Sequence, residues 1–539
     1  MHDLEERKKI TIMIAIMISL FFAMINQTIV GTATPRIIAQ LGGMEYYSWI
    51  ITVFMLTASI ATILVGKMSD IYGRKPFIII GLIVFIIGSF LAGTSTNIFQ
   101  LIVYRGIQGA GSGVIMSTSF IAVGDLYSPR ERGKWQGIMS GIFGLSSILG
   151  PVLGGFIVDH FSWRWVFWVF LPFGLVALAV IWKLFPSVKK QENQSVDYLG
   201  SIFISLTIIP LLLAFSWAGQ KYPWGSAQII GLFTWAAIAL GIFLYVEYRA
   251  QNPTIPLFLF KNSVFTVSNI VSFIINAGMM GAVIYIPYFI QGVLGESASY
   301  SSYLMIPMTI SVVIGSAIAG QWMTKTGKYK KLAISGLLIA VIGMFLLSRM
   351  NIHTSFATII VNNIVLGAGL GLTMPVFSLT VQNAVEHRLL GAATAATSLF
   401  RSLGGTIGIA VMSTIMTHRM SLMIEENMDE MQAGSGVALE GAGAKLSDAI
   451  DNPEFVMDPD KLATLHASLP PELQTVLMEM VQIIRESMGY AISGVFVLGS
   501  IVLIFAIFTT FFLKEVPLRK NVKMESELEN EQKKPVIEP

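Results

Sequence analysis

An arginine set inside an apolar run is the first feature of this chain that needs a chemical explanation. Arg105 opens RGIQGAGSG (105–113), in a stretch from 99 to 126 whose only other charge is Asp125. A guanidinium stays charged at any relevant pH. At the depth of such a run it must face a wet cavity or a polar partner. Two readings fit: a fixed positive charge with a functional role, which is the favoured one, or a tie that holds two helices together through carbonyls. Gly106, Gly109, Gly111 and Gly113 thin the helix around Arg105 and permit close packing or a bend, and Gln108 adds an amide. Arg401, within LFRSLGG, is a second arginine of this kind. Asp125 and Glu247 stand near the ends of apolar runs, where a charge that reaches interfacial water is the plain alternative to function. For Glu247 that alternative is the expectation.

Two further segments carry chemistry of position. GKMSDIYGRK (66–75) contains Asp70, which can answer a helix N-terminus and its dipole. It also contains Arg74, which can reach a carboxylate at the base of the 99–126 helix, with Asp125 the obvious partner. Gly66 and Gly73 bound this latch. Basic residues kept only for topology would not account for Asp70 or for the glycines. GLSSILGPVLGG (144–155) presents Gly144, Gly150, Gly154 and Gly155 as a small-residue face for tight helix contact, while Pro151 removes an amide and bends the helix. Together they suggest a seal or pivot.

The elements that hold these residues follow from hydropathy. Of 539 residues, 54% are hydrophobic and 12% charged, against roughly 25% charged in a soluble domain; mean hydropathy is +0.70. Apolar runs of bilayer length are expected near 10–34, 46–65, 76–93, 99–126, 135–158, 165–184, 198–217, 227–248, 264–291, 301–323, 332–348, 355–377, 390–417 and 488–514. The first is read as a retained helix, because no small-residue cleavage site follows it. Lys67, Arg74, Lys75, Arg130, Arg132, Lys134, Lys183, Lys189, Lys190, Lys325, Lys328, Lys330 and Lys331 crowd the even-to-odd connections. Arg7, Lys8 and Lys9 precede the first helix, and Lys514, Arg519, Lys520 and Lys523 follow the last. The positive-inside rule then places both termini in the cytoplasm. GKMSDIYGRKPF (66–77) and GQWMTKTGKYKKL (320–332) repeat a glycine, a polar turn and a basic cluster. Two parallel six-helix bundles with substrate near the midplane are the expected architecture: residues 1–190, then two inserted helices in 191–260, then 261–539. The segment 418–487, rich in Asp and Glu between Glu425 and Asp460, is read as an outward helical cap on the spacing of Leu473, Val476, Leu477, Met480, Ile483 and Ile484. The tail 515–539 is read as cytoplasmic, and disordered from Glu525.

Several function classes drop out. The absence of cysteine removes disulfides, thiolate metal sites and thiol catalysis. The six histidines have no ligand spacing, so no metal is expected. No nucleophile–base constellation appears, so no enzyme is expected. No GxxxxGK[ST] motif is present, so an ion gradient rather than ATP should drive any transport, and no cofactor is implied. A net charge of +3 gives no reason to invoke nucleic acid.

Taken together, GKMSDIYGRK, RGIQGAGSG and GLSSILGPVLGG resemble the motifs of the fourteen-helix drug–proton antiporter family (QacA/EmrB type) of the major facilitator superfamily. WRWVFWVFLPFG (163–174), YIPYFIQGVLGESA (285–298) and LFRSLGGTIGIAV (399–411) resemble later family patterns. The resemblance covers nearly the whole chain and implies an all-α major facilitator fold. It also implies that Arg105 takes part in proton transfer and that 144–155 is the antiporter motif. One departure matters. MINQTIVGTATP (24–35) carries Asn26 where the family commonly has an Asp, and an amide does not titrate. Two origins fit: the protein lacks that carboxylate naturally, or Asn26 is an engineered stand-in for a protonated Asp.

The resulting expectation is a monomeric multidrug exporter in a bacterial inner or plasma membrane, exchanging amphipathic cationic or zwitterionic antimicrobial compounds for protons. A proton-coupled importer, a narrow metabolite exporter and a non-transporting membrane sensor are the alternatives; the antiporter motif argues against the first and the gating motifs against the last. Asn26, Gln108, Asn276 and Gln291 are the polar candidates for substrate contact. For each of Asn269, Asn276, Gln291, Asn362 and Asn363, polar glue between helices is the favoured reading.

Overall fold

The structure, a computed structural model, describes residues 5–516 apart from 42–46, 187–196, 220, 297, 387–388, 436–461, 463–465 and 468–470. Fourteen helices among the described residues are long and apolar enough to cross a membrane. They are α1 (Glu6–Leu41), α2 (Tyr47–Tyr72), α3 (Arg74–Thr94), α4 (Ile98–Leu126), α5 (Pro129–His160), α6 (Trp165–Leu184), α7 (Tyr198–Trp217), α8 (Ala227–Arg249), α9 (Ser263–Gly292), α10 (Ala298–Thr326), α11 (Lys330–Ser348), α12 (Phe356–Ala384), α13 (Leu390–Ser435) and α14 (Pro471–Phe511). In lipid each backbone group must be satisfied within its own segment, which is why apolar runs of this length settle as helices.

Helices α1–α6 form one bundle and α9–α14 the other. The inserted pair α7–α8 packs mainly on itself, and α7 touches both α2 and α13. Large apolar side chains such as Trp235, Tyr245 and Tyr248 project outward from α8, as a lipid-facing surface requires. The bundles meet along two seams, α5 with α10 and α2 with α13, flanked by α5–α12 and α4–α13. The quoted internal repeat is visible in the backbone. Gly73 and Gly327 both turn the chain with positive φ, 87° and 69°, after the second helix of their bundle, a conformation only glycine adopts without cost. The copies differ in chemistry: where the first has Asp70, the second has Thr324.

Most helices end within about seven residues of the expected span, and two run much longer. α13 continues to Ser435 and α14 begins at Pro471. The apolar spacing at Leu477, Val481 and Ile484 is helical and buried, but it belongs to an extension of the last span rather than to a separate cap. The rest of the proposed cap (436–461) and the tail beyond 516 lie outside the described residues.

Candidate functional site

The RGIQGAGSG segment is thinned where neighbouring helices approach. A Cβ on Gly109 would overlap the Phe54 backbone of α2, and the Gly88 position of α3 lies so close that a Cβ would sit 2.6 Å from the Gln108 nitrogen. These contacts bring four helices around one polar cluster. Gln108 Nε2 donates to Asn26 Oδ1 of α1 at 3.1 Å and to Ser89 Oγ of α3 at 2.7 Å. Arg105 Nη1 donates to Gln108 Oε1 at 2.6 Å, and its Nε donates to the Ile50 carbonyl of α2 at 3.3 Å. The guanidinium also lies over the Phe54 ring at 4.1 Å. Asn26 Nδ2 returns to the Phe22 carbonyl at 3.2 Å. Asn26, Arg105 and Gln108 are each 0% exposed, and no described carboxylate pairs with Arg105. Asn26 and Arg105, singled out separately in the sequence, are therefore joined through Gln108. Ser89 was not anticipated, because a lone serine in an apolar helix carries no local signal.

At the end carrying the 66–75 loop, here the basic end, the side chains of Asp70, Arg74 and Asp125 are buried together. Arg74 pairs with Asp70, donates from Nε to Asp125 Oδ2 at 3.0 Å, and from Nη1 to Ser69 Oγ at 2.8 Å. The Asp70 carboxylate also crosses to the other bundle. It accepts from the Gly391 and Ala392 amides, each at 3.1 Å, at the first turn of α13. A carboxylate on free amides at a helix N-terminus is a favourable arrangement in both charge and hydrogen bonding. Gly66 makes room for this contact, since a Cβ there would meet the Gly391 carbonyl at 2.8 Å.

The second seam follows α5. A Cβ at Gly133 would meet the Gly320 carbonyl of α10 at 3.0 Å and Thr324 Oγ1 at 3.2 Å, and one at Gly137 would overlap the Ser316 carbonyl. Gln136 Nε2 donates to Gln382 Oε1 at 3.4 Å, and Gln382 Nε2 donates to the Phe120 carbonyl at 3.2 Å. The basic end is thus closed between the bundles.

The antiporter segment behaves differently from expectation. Gly144 faces Thr309 of α10, but Gly150 sits against Thr28 of α1 in its own bundle, and a Cβ at Gly155 would meet nothing within 4 Å. Gly154 is buried, and the side chain of Pro151 lies outside the described residues. The close seam between bundles therefore begins at Gly133 and Gly137, about three and two turns before the motif, and reaches the motif only at Gly144; Gly155 is not part of it. Glu247 also departs from expectation. It is 3% exposed rather than open to water, because the chain turns back after α8 and presents the Thr254 and Ile255 amides to Glu247 Oε1 at 3.1 and 3.2 Å.

Two adjoining cavities lie between the bundles. The larger, roughly 130 Å³, is lined by Phe54, Met55, Met116, Leu399, Ser59 and Ser402, among others. The second is lined by Phe120, Ser378, Gln382, Thr394, Thr397, Ser398 and Arg401; Ser398 belongs to both. Of the expected substrate contacts, Asn26 and Gln108 are spent in the buried network. Asn276 donates to the Ser272 carbonyl of its own helix at 2.8 Å, and Gln291 lines neither cavity. Asn362 and Asn363 tie helices through the Leu346 and Leu304 carbonyls. Among the described residues, Arg401 is the only ionisable side chain lining either cavity.

Among the described residues, fourteen membrane-length helices in two bundles are clasped at one end beside two adjoining cavities, the architecture of a membrane transporter. A Major Facilitator Superfamily profile matches residues 16–409. The multidrug transporter protein MdtP of Bacillus subtilis is 34% identical over 539 residues, covering 99% of this chain and 98% of the relative. The same organism's multidrug resistance protein 3 is 31% identical over 95% of this chain and 96% of its own length. Among solved structures, the proton:xylose symporter XylE superposes with a TM-score of 0.58 at 14% identity, covering 97% of this chain and 100% of that one; at that identity it shows the fold alone. The chain belongs to the major facilitator superfamily, and its bacterial relatives agree with the fourteen-helix multidrug type.

Proposed function

We propose that this protein exports amphipathic small molecules in exchange for protons. In this reading it works as a monomer in a bacterial cell membrane, with the basic end and both termini in the cytoplasm. The observation that carries the reading is the inter-bundle clasp. Asp70 of one bundle holds the first turn of α13 in the other, a contact that a rocking transporter must break and remake in each cycle. The alternation of basic connections supports the orientation, and the names of the 31–34% identical relatives support multidrug export.

Proton exchange rests on the buried polar network. Asn26 occupies the helix 1 position but offers no titratable group, so coupling in the chain as written falls to Asp70, Asp125 or Glu247. An Asp at 26 would place a carboxylate within reach of Gln108, itself bonded to Arg105. Burial would favour its protonated form and the nearby guanidinium its ionised form.

The test is drug-driven proton movement into or out of liposomes, with this chain compared with its Asn26→Asp form. The expected result is weak coupling that Asn26→Asp strengthens. Absence of drug-dependent proton movement in both forms would refute the antiport reading.

A further inference from the structure

Among the described residues that line the two cavities, one is charged, and it is positive. Arg401 lies roughly 16 Å along α13 from its basic end at ~1.5 Å per residue, near the middle of a ~30 Å hydrocarbon core. No described residue accepts a hydrogen bond from it or forms an ion pair with it, and it lines the second cavity. A bare guanidinium at that depth is expensive unless something polar meets it. Thr394 lies seven residues earlier on the same face of α13, and Thr397 and Ser398 stand between them at helical spacing. Thr394 is 7% exposed, and its hydroxyl has no described partner. Opposite, Gln382 of α12 is already committed to Gln136 and Phe120. A free cation and a free buried hydroxyl therefore face one small chamber. Through Ser398 that chamber adjoins the apolar one walled by Phe54, Met55, Met116 and Leu399.

We propose that Arg401 and Thr394 form a subsite for an anionic head group, a carboxylate or sulfonate, whose apolar body occupies the neighbouring chamber. This rests on the export reading and names its substrate class: anionic or zwitterionic amphiphiles rather than simple cations, for which neither cavity offers a carboxylate. A guanidinium suits the purpose because it binds carboxylate in a two-pronged, charge-assisted geometry. The ~130 Å³ chamber is smaller than the ~300–1,000 Å³ usual for drug-sized ligands. The subsite is therefore filled in a state more open than this one.

Two fluorescent probes of nearly the same shape test the charge. Anilinonaphthalene sulfonate is anionic, and N-phenyl-naphthylamine lacks the sulfonate. Both are titrated onto the full chain in phosphatidylcholine nanodiscs. Arg401→Gln should weaken the sulfonate probe about tenfold or more and leave the neutral probe unchanged. Arg401→Lys should retain much of the sulfonate affinity, and Thr394→Val should lose roughly threefold. Unchanged sulfonate binding in Arg401→Gln, or equal losses of both probes in Arg401→Gln and Thr394→Val, overturns the proposal. Should Arg401→Gln fail to fold, the lysine and valine variants decide in the same terms. Repeating the titration with phosphatidylglycerol in the disc separates the sources of the head group. Competition that vanishes in Arg401→Gln assigns the site to lipid, and undiminished binding assigns it to free amphiphiles. Extrusion of the neutral probe from cells reports on the export reading alone: extrusion without any sulfonate preference overturns only the subsite, and extrusion of neither probe overturns export.

Discussion

Asp70→Asn should open the basic end. The change keeps the side chain's shape but removes its charge, and it turns one of two acceptor oxygens into a donor. The acceptors at stake are those that take the Gly391 and Ala392 amides at 3.1 Å. A hydrogen bond to a charged group contributes about 1.5–3 kcal/mol, and a carboxylate at a helix N-terminus about 0.3–1 kcal/mol. Losing one bond outright and weakening the other removes about 2 kcal/mol from the contact between bundles. At about 1.4 kcal/mol per decade the closed-to-open ratio falls roughly 30-fold, so that a population near 99:1 becomes about 3:1. Arg74 and Asp125 belong to the same bundle as Asp70, so Arg74→Ala and Asp125→Ala act only by loosening Asp70. A double-mutant cycle between Arg74 and Asp125 should show coupling on the order of 1 kcal/mol or more. The chain has no cysteine, so spin labels on Lys134→Cys and Lys328→Cys report the separation of the bundles without background. A distance distribution in Asp70→Asn that matches the parent would refute the clasp.

Four further outcomes follow from the same geometry. Gly137→Ala should abolish transport with expression intact, because its methyl group would overlap the Ser316 carbonyl, whereas Gly155→Ala should transport normally because nothing lies within 4 Å; efflux assays on both decide. Gln108→Leu should strip Arg105 and Asn26 of their shared partner and lower drug-driven proton flux in an Asn26→Asp background about tenfold or more, measured in liposomes. Phe54→Leu should lower proton flux and drug binding together, since one ring both lies under Arg105 and walls the cavity. Glu247→Gln should keep the parent thermal midpoint, and Glu247→Leu should lower it, because only the former still accepts from Thr254 and Ile255.

Much of this fold was legible from the sequence, and the physical reason is the bilayer. An apolar run must be helical and must cross, so the fourteen spans follow from hydropathy, with ends within about seven residues except at α13 and α14. The overruns at α13 and α14 arise because a helix continues where its hydropathy falls, and polar residues such as Glu425 and Glu426 extend it past the lipid. Contacts within one bundle were partly legible too. Arg74 reaches Asp125 because the loop after α2 and the end of α4 share one face of the bundle. Contacts between bundles were not. The register of α2 against α13 is set by packing over the whole interface, so no spacing near residue 70 names Gly391 as its partner. The seam glycines 133 and 137 resemble any helix glycine, whereas the denser cluster at 144–155 drew attention partly to positions that touch no neighbour. Glu247 was misjudged because a charge near a helix end usually reaches water. The returning turn that covers it is a tertiary fact.

One side chain stands between the two polar centres of the molecule. Phe54 of α2 lies under the Arg105 guanidinium at 4.1 Å on one side and forms part of the wall of the central cavity on the other. Arg105 is bonded to Gln108, and Gln108 to Asn26. A ligand that enters the cavity and shifts the ring would therefore move the cation, and the cation holds the amide that orients position 26. Coupling of this kind needs no continuous water path from cavity to network, which matters because all three network residues are 0% exposed. It needs only that Phe54 have two packed positions, one for each state of the cavity. It also assigns the two arginines different tasks. In the proposed cycle Arg105 would stay buried and report occupancy to the helix 1 site, while Arg401, on α13 in the adjoining chamber, would meet the ligand.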